Sequence, residues 1–262
     1  MDERVLIEGI KDAARSAGRI MKRARRPKIM EKSGHANFVT ETDEKVQAFL
    51  FGALSDILPE ASFLGEEDGR DVFTEKMKKG YVFVIDPIDG TSNFISDYHP
   101  SVVSIGLMKD DKPYMGIVYN PYDNMLFEAI SGKGAYMNGK RIISSDMPLA
   151  DSLVTFGTAP YYTDLRDETF RIAKSLMAQC VDIRRSGTAA WDMCCVAMGK
   201  CAMYYELKIQ IWDYAAAALI AAEAGCTVTD IKGAPLSYEG ASSAICRARG
   251  VGEIPACFTS EE

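Results

Sequence analysis

The chain has 262 residues, 47% of them hydrophobic and 26% charged, and a net charge of -7. That length supports a large core as one domain or two, and the acidic balance argues against nucleic acid, whose binding rests on basic patches. Two histidines, His35 and His99, exclude a histidine-rich zinc site and leave little for a Ser-His-Asp triad. No apolar run reaches membrane-spanning length, and Asp2-Glu3-Arg4 does not open a signal peptide. Seven cysteines without a Cys-x-x-Cys pair read as free thiols packed as small hydrophobes, which places the chain in a reducing, cytoplasmic compartment.

Leu6, Ile10, Ala13, Ala17, Ile20 or Met21, and Ala24 recur at helical spacing, predicting an amphipathic helix over 3–25 that stops before Pro27. Arg25 and Arg26 extend its basic last turn, and residues 32–42 read as a loop. A second helix starts near Asp43, with Val46, Leu50 and Leu54 inward, Pro59 as stop, and Thr42 or Asp43 as N-cap. A short apolar segment then breaks into Gly65-Glu66-Glu67-Asp68-Gly69, an acidic turn.

Tyr81 to Ile85 is an unbroken apolar run, the mark of a strand buried on both faces. It delivers Asp86 and Asp89 into a turn stiffened by Pro87 and bent at Gly90, and Thr91 to Phe94 opens a helix. Two acids beside outward-pointing amides suit metal-assisted phosphate chemistry: the acids hold a hard cation, and the amides of Gly90 and Thr91 hold phosphate oxygens. Strands follow at 102–108, 114–119, 125–130 and 135–137, with Asn138-Gly139 as a hairpin turn. The result is an α+β domain over 1–145, an antiparallel meander packed on the two helices. Residues 146–262 alternate strands and helices, and Asp213 opens an alanine-rich helix over 214–224, so a layered α/β domain is expected.

The segments Gly65-Glu66-Glu67, Asp86-Pro-Ile-Asp89-Gly-Thr91-Ser-Asn-Phe94, Gly187-Thr188-Ala189-Ala190 and Trp212-Asp213 resemble the inositol monophosphatase family. This family includes archaeal-type fructose-1,6-bisphosphatases and related magnesium-dependent, lithium-sensitive phosphatases. The resemblance implies an αβαβα layered sandwich, a homodimer, and two to three Mg2+ ions. It assigns Glu66, Asp86 and the carbonyl of Ile88 to one ion, and Asp86, Asp89 and Asp213 to a second, with a weaker third near Glu66. Glu67 acts from behind the ligands, and Thr91 backed by Asp43 orients the attacking water. Glu206 and Gly187, Thr188 and Ala189 contact the alcohol portion of the substrate. Arg185 and Lys208 could take a second phosphate, which points to inositol 1-phosphate with fructose 1,6-bisphosphate as a second substrate. The rivals are a 3′(2′),5′-bisphosphate nucleotidase of the same family, a haloacid-dehalogenase-type phosphatase, and a non-catalytic regulatory protein keeping the fold. The dehalogenase motif spaces its aspartates two apart, whereas Asp86 and Asp89 are three apart.

Overall fold

The computed structural model describes residues 2–24, 28–31, 38–68 and 77–258. Two long helices come first, α1 (Glu3–Arg23) and α2 (Glu41–Ile57), joined through a short antiparallel pair, β1 (Ile29–Glu31) and β2 (Phe38–Thr40). The buried stripe Leu6, Ile7, Ile10, Ala14, Ala17 and Met21 explains α1, and the Asp2 side chain caps it by accepting from the Arg4 amide. The expected positions Arg25, Arg26 and His35 lie outside the described residues.

A seven-stranded sheet follows: β3 (Ser62–Gly65), β4 (Tyr81–Asp89), β5 (Val102–Lys109), β6 (Lys112–Asn120), β7 (Met125–Ile130), β8 (Ala135–Met137) and β9 (Lys140–Ile142), with α3 (Thr91–Ser96) after β4. Its order is the chain order, and every pair is antiparallel except β3 with β4. Asn138 and Gly139, both at positive φ, form the β8–β9 turn as expected. The second half supplies β10 (Leu153–Phe156), α4 (Arg166–Met177), β11 (Asp182–Arg184), α5 (Ala189–Ala197), β12 (Met203–Ile209), α6 (Ile211–Glu223), β13 (Thr227–Thr229) and β14 (Ser242–Arg247). These strands order as β11-β10-β12-β14-β13, parallel on one side of β12 and antiparallel on the other.

Alternation along the strands builds the layers. Phe83 and Ile85 pack with α1 and α2, while Val82 and Val84 face α5 and α6. In the second sheet Tyr204 faces α5 and α6, and Met203 and Tyr205 pack on α4. The architecture is therefore the expected αβαβα sandwich, with α5 and α6 shared between the sheets. Two helix starts differ from expectation. α2 begins at Glu41 with Thr40 as its cap, because β2 carries the chain to Thr40, and α6 begins at Ile211 with Gln210 as its cap. Asp43 and Asp213 each become the third residue of a capping box rather than the cap itself.

The middle layer is thin because its helix is alanine-rich. A Cβ on Gly116 of β6 would lie 2.6 Å from the Ala216 carbonyl of α6, so only glycine allows this approach. Gly116→Ala should push α6 off the sheet and cost about 1–3 kcal/mol, the usual range for overpacking. Because Asp213 rides on the first turn of α6, kcat should fall as well. Urea unfolding together with steady-state kinetics checks both, and unchanged stability would contradict the close packing.

Candidate active site

Parallel pairing sets the first two acids side by side. The strand expected to end in a turn after Ile85 runs on as β4 through Asp89. Gly65 of β3 pairs with Ile85, which sets Glu66, just past β3, beside Asp86 within β4, and their carboxyl groups hydrogen-bond. Residues three apart on a regular strand face opposite ways, but the β4–β5 register shifts between Asp86 and Asp89. That irregularity lets both carboxylates line one cavity. Asp213 arrives from the first turn of α6, which Ser104 of β5 fastens by donating to the Trp212 carbonyl at 3.2 Å. Carboxylate oxygens of Asp86, Asp89 and Asp213 lie within 4.8 Å of one another.

Burial pushes the Asp86 carboxyl well above its ordinary range, and repulsion from Glu66, Asp89 and Asp213 pushes it further. Asp213 is raised for the same reasons, with Asp89 its strongest repulsive neighbour. Asp89 is raised by burial, partly offset by the amides of Ala190 and Ala189 at 2.7 and 3.2 Å. A carboxyl pair in hydrogen-bond contact and three mutually repelling aspartates require protons or a cation between them. The donors are all oxygen, which suits Mg2+ rather than zinc. The residues present therefore fit a hard divalent ion.

Next to the cluster, Gly90 stands at φ +90°, and a Cβ there would collide with the Thr188 hydroxyl. Thr91 Oγ1 lies 3.2 Å from the Ile88 carbonyl and 3.3 Å from Asp43 Oδ1. Asp43 is buried, and its other oxygen accepts from the Thr40 amide at 2.9 Å. Burial raises its pKa to about 6, with Thr40 pulling down and Glu66 pushing up. Gln47 of α2 fastens the acidic turn through the Glu67 amide and Asp68.

A cavity of about 700 Å3 joins these groups to the second half of the chain. Glu66, Glu67, Asp86, Ile88, Asp89, Gly90, Thr91, Arg185, Gly187, Thr188, Ala189, Glu206 and Asp213 all line it. Asp43 stands behind Thr91, and Lys208 does not line the cavity, since its ammonium lies over the Tyr162 ring at 4.1 Å. Ala189, expected to contact the alcohol portion, lines the cavity while its amide donates to Asp89. The sequence reading gave no role to Asn93, Tyr161, Tyr162, Asp192 or Gln210, which also line the cavity. Asn93 was legible as part of the central motif. Its Nδ2 reaches the carbonyls of Pro100 and Ser186, both at 2.8 Å, and so joins α3 to the 186–188 loop. Asp192 sits one helical turn after Thr188 and hydrogen-bonds Ser186.

A layered α/β sandwich with a buried acid cluster and an adjacent hydroxyl–carboxylate pair defines a phosphatase-like site. The profile of the inositol monophosphatase family matches residues 2–254, and the chain belongs to that family. Rat inositol monophosphatase 1 is 36% identical over 234 residues, covering 85% of this chain and 82% of the relative. The crystal structure of the extragenic suppressor protein suhB from Bartonella henselae matches with a TM-score of 0.84 at 31% identity, over 93% and 94% of the two chains. The inositol-monophosphate-bound SaIMPase-II, from Staphylococcus aureus, matches at 0.78 and 26% identity, over 97% of this chain and 92% of its own. The family is that of metal-dependent phosphatases, and the dehalogenase-type rival loses its ground.

A stability test follows from the repulsion. A carboxyl with a raised native pKa keeps its proton where the unfolded chain, titrating near 4, has released it. Without a cation, stability therefore falls as pH rises from that ordinary range through the raised values. In metal-free buffer at pH 7.5, Asp86→Asn should melt at or above the wild type. Mg2+ should raise the wild-type melting temperature and move the variant much less. A variant that melts lower without metal and responds fully to Mg2+ would refute this reading of the cluster.

Proposed function

We propose that the chain is a Mg2+-dependent phosphomonoesterase for small polyol or sugar phosphates, with inositol 1-phosphate foremost. The observation that carries this is the Asp86, Asp89 and Asp213 cluster with the Thr91–Asp43 pair at its edge. Glu66, Asp86 and the Ile88 carbonyl would hold one ion, Asp86, Asp89 and Asp213 a second, and Glu66 a weaker third. Bound there, divalent cations supply charge to offset the phosphate dianion and acidify water. Thr91 Oγ1 then orients the attacking water and passes a proton to Asp43, while Glu67 supports the acidic turn. The amides of Gly90 and Thr91 receive phosphate oxygens, and the alcohol portion extends toward Glu206, Gly187, Thr188 and Ala189. The family, and the staphylococcal relative solved with inositol monophosphate bound, support the substrate class. No helix among the described residues is long and apolar enough to cross a membrane, and all seven cysteines are free thiols. We read the protein as a cytoplasmic homodimer acting on soluble phosphate esters.

The direct test is phosphate release, with and without Mg2+, from inositol 1-phosphate, fructose 1,6-bisphosphate, adenosine 3′,5′-bisphosphate and an aryl phosphate. Inositol 1-phosphate should be hydrolysed only with Mg2+. No turnover on the whole panel would favour a regulatory protein that keeps the fold, and preference for the adenosine compound would favour a nucleotidase.

Fructose 1,6-bisphosphate is proposed as a second substrate because Arg185 stands exposed on the cavity rim, its Nε donating to Thr158 Oγ1 at 3.1 Å. Arg185→Ala should raise KM for the bisphosphate about tenfold, in line with losing one charge-assisted contact. The monophosphate should be little affected, and equal losses on both substrates would remove this role.

Asp43 must be ionised to accept the Thr91 proton, so kcat should fall on the acid side with a midpoint no higher than about 6. A cation near Glu66 can only lower that midpoint, because it favours the carboxylate. Asp43→Asn should flatten the acid limb and cut kcat by about 10²-fold or more, the scale of general-base loss. An unchanged limb in this variant would assign the titration elsewhere.

A further inference from the structure

The outer wall of the cavity is the loop 157–162, and side chains expected to read the substrate are engaged in holding it. Glu206 Oε1 accepts the Ala159 amide at 2.7 Å, and Oε2 accepts the Tyr204 hydroxyl at 2.6 Å. Gln210 Nε2 donates to the Tyr162 hydroxyl at 3.2 Å, and the Lys208 ammonium stacks over the same ring at 4.1 Å. Arg185 adds its bond to Thr158, and the Gly157 amide donates to the Tyr205 carbonyl at 2.9 Å. Within the loop Ala159 is held at φ +41°, a left-handed conformation that costs an alanine about 1–2 kcal/mol. Five tethers and a strained turn fix the residue that follows Pro160.

That residue is Tyr161. It lines the cavity yet is 50% exposed, a large aromatic side chain at the wall that is half open to solvent. Glu66, Asp86, Glu206 and Asp213 line the same cavity as Tyr161. A cyclic polyol has an edge of hydroxyls and a face of C–H bonds, and an uncovered aromatic face is the natural partner of the second.

We propose that Tyr161 determines specificity by packing its ring on the carbon face of a cyclic alcohol portion, and that Glu206, Lys208 and Gln210 are positioning residues for this wall. The inference rests on the reading that the substrate is a polyol or sugar phosphate. Lys208 thus serves the site through Tyr162 rather than by touching a phosphate.

The test compares cyclic inositol 1-phosphate with acyclic glycerol 2-phosphate in the wild type, Tyr161→Ala and Tyr161→Phe. Tyr161→Ala should raise KM for the cyclic ester about tenfold, which is 1.4 kcal/mol of aromatic contact. Its kcat, and both constants for the acyclic ester, should stay within about twofold, the scatter expected where the ring makes no contact. Tyr161→Phe should match the wild type. Equal losses on both esters, or a phenylalanine as damaging as the alanine, would overturn the proposal. Lys208→Met should give a smaller rise selective for the cyclic ester, restored in Lys208→Arg, whose guanidinium also stacks on rings. No change in Lys208→Met would remove its positioning role. Calorimetry with free myo-inositol, in Mg2+ and inorganic phosphate, reads the wall without turnover. Weaker binding to Tyr161→Ala, with no hydrolysis of inositol 1-phosphate by the wild type, would end the proposed function and leave this inference standing. Equal binding to both proteins, or none to either, would end the inference whatever is hydrolysed.

Discussion

Repulsion among buried carboxylates is the constraint on which this structure turns. At a separation of 4.8 Å two unit charges repel by about 3–4 kcal/mol in a medium of effective dielectric near 20. Three such pairs approach the whole stability of an ordinary domain, about 5–15 kcal/mol. Asp86, Asp89 and Asp213 therefore cannot all be ionised here without compensating positive charge. Burial first, and repulsion from neighbouring acids second, raises the titration of each: from Glu66, Asp89 and Asp213 on Asp86, from Asp89 and Glu66 on Asp213, and from Glu206 and Asp192 on Asp89. The fold tolerates the cluster because each acid also does local structural work or is held by backbone. Asp89 accepts two amides at the start of α5, Asp213 accepts the Gln210 amide, and Asp86 accepts the Ile88 amide at 2.9 Å.

This double use explains how separate layers converge on one cavity. β3 and β4 run parallel and bring Glu66, just past β3, beside Asp86 within β4, while the register shift in β4 turns Asp89 inward. α6 lies between the sheets, close enough to Gly116 that its first turn brings Asp213 to the end of β4. Asp43 repeats the logic of Asp213. Each closes a capping box at the third helical position; Asp213 lines the cavity and Asp43 stands behind Thr91. A helix start favours a carboxylate electrostatically, so the same residue stabilises its helix and can take the role proposed for it in the site.

Much of this was legible in the sequence where the signal is local. The unbroken run from Tyr81 to Ile85 marked the central strand, and β8 and β9 followed from Asn138-Gly139. The acids Glu66, Asp86, Asp89 and Asp213 stood out through their neighbours, and the cavity gathers all of them. The helix starts were less legible. Thr42 or Asp43 was expected as the cap of α2, but β2 pairs with β1 through Thr40 inside a stretch whose polar composition reads as loop. The irregularity between Asp86 and Asp89 is equally silent, because spacing alone does not reveal a shift of register. Least legible was the loop 157–162. Its shape is set by Arg185, Glu206, Lys208 and Gln210, all distant in sequence, so nothing in Thr158-Ala-Pro-Tyr-Tyr162 announces a cavity wall.

The central claim is that the acid cluster is a cation site shared between strand and helix. Anomalous diffraction from crystals soaked in Mn2+, a substitute with the same preference for oxygen ligands, tests it most directly. One manganese peak should touch Glu66 and Asp86 and a second Asp86, Asp89 and Asp213, with Asp86 common to both. Manganese found only on surface acids, with the cluster empty and its aspartates still in contact, would contradict it.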